Sequence, residues 1–227
     1  MCFSAGASFT AGAVLAVAGI ATLREAHKPS QTLFAVIPLI FGIQQLAEGC
    51  LWLTLQNGDH FIIQKISTFV YLTAAVIIWP VLLPLAILLM EEMGKKRRTL
   101  KILLVTGIAL ALYYACWLYF FKITPQILDC HIFYKNASPH SLMIPTFLIY
   151  LAVTLSPLFV SSVKRMYLLG ILMFLSCGVA VIFYTKFVTS VWCFFAAVIS
   201  VVIFLILRGM NKAQGLNGSE AQGQEGG

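Results

Sequence analysis

Long stretches without a single charged residue decide what this chain can fold into. No Asp, Glu, Lys or Arg occurs in 1–23, 29–47, 66–90, 102–121, 141–163, 166–185 or 187–207, and the second stretch resumes past Glu48 to about Leu55. Each is close to the roughly 20 residues a helix needs to cross the hydrocarbon core. In that medium water cannot satisfy backbone N–H and C=O groups, so a span made of one segment has to be helical. The expected fold is therefore all-α, an integral membrane bundle of seven transmembrane helices. Only Lys186 separates the last two stretches. A single 42-residue helix there would overshoot the bilayer about twofold, which predicts a tight turn near Thr185–Phe187.

Composition narrows the function classes. Apolar residues make up 60% of the 227 and charged residues 10%, far from the balance of a soluble domain. A soluble enzyme and a disordered chain are excluded. The net charge of +7 does not point to nucleic acid, because the basic residues sit in short clusters between apolar runs. The bilayer is the expected partner. Residues 1–210 read as the transmembrane domain. Residues 211–227, polar and glycine-rich, read as a disordered tail.

Those basic clusters predict orientation. With the N-terminus outside, Arg24, Lys28, Lys95, Lys96, Arg97, Arg98, Lys101, Lys164, Arg165, Arg208 and Lys212 are cytoplasmic, and Lys65, Lys122, Lys135 and Lys186 are external. This is a strong positive-inside bias, and it predicts N-out, C-in. The first run is not read as a cleaved signal peptide, because its positive charge follows the apolar segment instead of preceding it.

Glu48 is the acidic residue that falls inside a span, and an uncompensated charge there costs several kcal/mol. Gln44, Glu48 and Trp52 are spaced i, i+4, i+8, and Gln45 lies three residues before Glu48, so the four share one broad helix face. That face is expected to point into the bundle, with Glu48 about 12 Å below the outer helix end. Two readings follow: a structural hydrogen bond between helices, or an outward-facing polar pocket that binds a small solute, a proton or a metal ion.

The opening Met-Cys-Phe-Ser-Ala, together with Gln-Gln-x-x-Glu-Gly at 44–49 in the second helix, resembles a family of uncharacterised bacterial multi-pass membrane proteins. The resemblance extends over most of the chain. It implies a bacterial inner (plasma) membrane location and directs attention to Cys2 and the Gln44–Trp52 segment, without supplying an activity.

Removal of Met1 would leave Cys2 with a free amine and thiol. That pair could chelate a soft or borderline metal ion, the one cofactor considered, or act as a nucleophile with its own base. Cys130 and His131 are further metal-competent side chains in the outer segment 122–141, read as a loop. The small residues Ser8, Gly12, Ala16 and Gly19 predict close helix packing and place the first helix inside the bundle.

Three function classes stay open: a binding or transport protein built on Glu48, an outer-leaflet enzyme using Cys2 and Glu48, and a structural or partner-binding subunit. A retinal protein is excluded because 187–207 contains no lysine, and a nucleotide-driven pump because no phosphate-binding motif occurs.

Overall fold

A computed structural model describes residues 4–57, 61–92, 94–121, 123–128, 131–135, 142–183 and 196–225. Among them are seven helical rods. The first is α1 (Ala5–Arg24), begun by the Ser4 side chain accepting from the Ala7 N–H at 3.3 Å. The second is α2 (Pro29–Ala35) followed by α3 (Ile37–Asn57). It breaks at Val36 because Pro38 has no N–H for the Phe34 carbonyl and disfavours helical geometry at the residue before it.

The third rod runs from Phe61 to Met90 as α4 (Phe61–Leu72), a π-helical segment (Thr73–Ile78) and α5 (Trp79–Met90). It starts five residues before the expected position 66, with Lys65 on an exposed face. Then come α6 (Lys95–Phe120), α7 (Met143–Val160), α8 (Met166–Phe183) and α9 (Ala196–Glu225). Five rods, the first through the fifth, are long and apolar enough to cross a membrane. The turn expected near Thr185–Phe187 lies outside the described residues. The last helix continues through Asn211, where the polar tail was expected to begin.

Between α6 and α7 the expected loop contains a β-hairpin. Strand β1 (Thr124–Leu128) pairs antiparallel with β2 (His131–Lys135), with Pro125 opposite Tyr134 and Ile127 opposite Ile132. The segment 123–134 alternates in a way that puts Pro125, Ile127, Ile132 and Tyr134 on one face. Burying that face, not turn chemistry, accounts for a hairpin here.

The π segment follows from Pro80. The Trp79 N–H reaches back five residues to the Ala74 carbonyl. In that register the Ala75 carbonyl would take the N–H of residue 80, and proline has none. The freed carbonyl instead accepts from the Tyr150 hydroxyl of α7 at 2.7 Å. Pro84 has a similar effect one turn later, leaving the Pro80 carbonyl without its usual donor. That carbonyl lies so close to Gly107 of α6 that a Cβ there would collide with it.

The first two rods also approach closely. A Cβ on Gly12 would come within 2.8 Å of Leu46. The buried stripe of α1 is Ser8, Gly12, Leu15, Gly19 and Thr22, and Ala16 is only partly buried. Val14, Val17 and Ile20 are exposed, so α1 lies at the edge of the bundle and not inside it, contrary to the expectation from its small residues. Its glycines serve one neighbour. The second and third rods form the centre.

Two apolar clusters result. The larger gathers Leu15, Phe34, Phe41, Trp79, Leu83, Ile87, Leu158 and Ile203 among others. The smaller joins Ala47, Leu51, Trp52, Tyr71, Leu72 and Ala75 to Ile132 of the hairpin. Basic loops close the bundle at the end opposite the hairpin.

Candidate functional site

On α3 a short polar layer separates the two clusters. Phe41 belongs to the larger and Ala47, Leu51 and Trp52 to the smaller, with Gln44, Gln45 and Glu48 between them. Relative exposure is 0% for Gln44, 2% for Gln45, 3% for Glu48 and 3% for Trp52. The face deduced from helical spacing therefore points inward, as a bilayer requires of polar groups.

Gln44 has a specific partner across the bundle. The Trp79 indole N–H donates to Gln44 Oε1 at 3.1 Å, and the Trp79 ring stacks on Phe41 with centroids 4.1 Å apart. Sequence reasoning missed Trp79. The available signal was a tryptophan far from the interfacial belts, where its N–H must find an acceptor inside the protein. The π segment ends where Trp79 begins, so it sets the rotation that brings the indole to Gln44.

Glu48 lies one turn along α3 from both Gln44 and Trp52 and is engaged within the bundle. Trp52 differs from Trp79: its Nε1 is buried and has no hydrogen-bond partner among the described residues. It packs in the cluster that contains Tyr71 and Ile132. Tyr134 of the hairpin stacks on Tyr71 at 5.3 Å, so the hairpin covers the end of α3 and α4 nearest Trp52.

The other expected site residues are distributed as follows. His131 opens β2 and is buried, at the hairpin end with Trp52. Cys2 and Cys130 lie outside the described residues. Cys50 is partly buried, Cys116 exposed and Cys177 buried, all as free thiols. Among the described residues no group of three or more His, Cys, Asp or Glu side chains could hold a metal ion, so the candidate metal set of Cys2, Glu48, Cys130 and His131 gains no support.

A second buried carboxylate was not anticipated. Glu91, at the end of the third rod, is 6% exposed. Its Oε2 accepts from the Ser162 backbone N–H at 2.8 Å and the Ser161 hydroxyl at 3.4 Å. Arg97 Nη1 donates to the Leu88 and Glu91 carbonyls at 3.1 and 2.7 Å, satisfying acceptors at a helix end. Glu91 was overlooked because it borders the charged segment 91–101, which reads as a solvated loop.

A helical bundle of apolar rods with a buried polar layer and a covering hairpin is the architecture of a multi-pass membrane protein. The chain belongs to a family of unknown function, DUF6629, whose sequence model matches residues 1–217. No curated protein and no solved structure matches it.

Proposed function

We propose that the chain binds a small hydrogen-bonding solute or a proton at Glu48, reached from the hairpin end, and that this binding serves passage across a bacterial inner membrane. The observation that carries the reading is the Trp52 indole. It is a buried donor one helical turn from Glu48, with no acceptor among the described residues. A buried donor left unmade costs about 1–3 kcal/mol. A ligand or water accepting from it would recover that cost, and Glu48 would supply the exchangeable proton. The eleven-to-four division of basic residues supports an external hairpin end and a cytoplasmic basic end.

The test uses the full-length chain in vesicles loaded with a pH-sensitive dye. An imposed pH gradient should decay faster than in empty vesicles. Glu48→Gln should fold normally and return the decay to the empty-vesicle rate. Undiminished decay in that variant would defeat the proposal. A second reading, that the layer only holds helices together, draws support from the Trp79–Gln44 hydrogen bond. It predicts no gradient decay in the wild-type protein. An enzyme using Cys2 has no comparable observation behind it.

A further inference from the structure

At the basic end, two loops distant in sequence are locked side by side. Lys96 Nζ donates to Ser162 Oγ at 3.0 Å, beside the Glu91–Ser162 hydrogen bond. Arg97 fixes the start of α6 to the end of the third rod. Arg165 adopts a φ of 68°, an uncommon conformation for a side-chain-bearing residue, which turns the chain sharply into α8. Lys95, Arg98 and Lys101 on one loop and Lys164 and Arg165 on the other are thereby collected on one exposed surface.

Few local negative charges offset this surface. Glu92 is exposed, but Glu91 is buried and turned toward Ser161 and Ser162. Lys95, Arg98, Lys101, Lys164 and Arg165 have no ion-pair partner among the described residues. Gly94 begins α6 without a side-chain cap, so the first N–H groups of this 26-residue helix also present positive potential. Directly beyond the charges the rods expose apolar side chains: Ile102 and Val105 on α6, Phe159 on α7, and Leu168 and Ile171 on α8.

We propose that this surface is a binding site for an anionic phospholipid. The cations of the two loops hold the headgroup phosphate, and the acyl chains lie along the exposed apolar faces of α6, α7 and α8. Charge alone would suit any anion. The apolar strip continuous with the charges is what selects a lipid, because a soluble phosphate or an acidic protein segment would leave it unused. Cation clusters between membrane helices at headgroup depth suit such lipids.

The purified full-length chain in neutral detergent supplies the test, read as apparent Tm against added lipid. Dioleoyl phosphatidylglycerol should raise Tm saturably, and dioleoyl phosphatidylcholine should not. In Arg98→Gln/Lys164→Gln the half-maximal phosphatidylglycerol concentration should rise about thirtyfold, a factor of about five per cation removed. If the double variant does not fold, each single variant should show about the fivefold shift. Lys65→Gln, on α4 well away from this surface, should respond like the wild type.

Three results would overturn the proposal. Phosphatidylcholine could stabilise equally, or the Arg98 and Lys164 variants could keep wild-type sensitivity. Inorganic phosphate or a polyglutamate peptide could reproduce the full effect, which would make the surface a general anion or acidic-protein site.

Discussion

The two buried carboxylates occupy opposite kinds of surroundings. Glu91 sits at a helix end, where its oxygen takes a backbone N–H and a hydroxyl from the next loop. The carboxylate has a structural explanation: it joins two connections at the basic end. Glu48 sits in the middle of α3, at a depth where a carboxyl has no water to fall back on, beside an indole donor that nothing among the described residues satisfies. Burial alone therefore does not mark a functional acid. What separates the two is whether the local hydrogen-bonding groups already balance.

The comparison can be broken experimentally. The largest stability loss is expected for Glu48→Leu, about 2–3 kcal/mol, because its hydrogen-bonding neighbours in a dry layer would be left unsatisfied. Unfolding of the full-length chain in mixed detergent measures it. A smaller loss would mean that water reaches the layer. Glu91→Ala should cost about 1–3 kcal/mol by stranding the Ser162 N–H; because Ser162 lies at the bundle end, water limits the damage to the lower part of that range.

Gln44→Leu removes the acceptor of the Trp79 indole and should cost about 1–2 kcal/mol. A double-mutant cycle with Trp79→Phe should recover most of that cost if the 3.1 Å bond is its source. Trp52→Phe should have the smallest effect, under about 0.5 kcal/mol, since its N–H has no protein partner to lose. The same variant should slow the Glu48-dependent gradient decay. A stability loss above 1 kcal/mol would show that the indole already has an acceptor and would place Glu48 closer to Glu91 in character.

These differences also explain what could be read from residues alone. The order of the rods was legible because entry into hydrocarbon depends on local composition, and a missing charge is visible in any window. The inward face of Gln44, Gln45, Glu48 and Trp52 was legible because helical spacing is local. Glu91 was not, because its burial depends on Ser161 and Ser162, 70 and 71 positions away. The first rod was misplaced for a related reason: Gly12 and Gly19 predict close approach, but not how many neighbours approach. The hairpin was missed because Ile132 gains its value only when Trp52 and Tyr71 are already in place.

The π segment has a consequence for how the third rod is written. Each residue of an α-helix turns about 100° around the axis, and the wider turn shifts that count by about one residue. Tyr71 and Trp79 therefore belong to two different helical phases, although no loop separates them. A helical wheel drawn in one phase from Phe61 to Met90 would put half of the rod's lining on the wrong side. Deleting a single residue between Thr73 and Ile78 would bring the phases together and leave every residue type beyond it unchanged. It would also turn the Trp79 indole away from Gln44, so in this rod the spacing carries as much information as the side chains do.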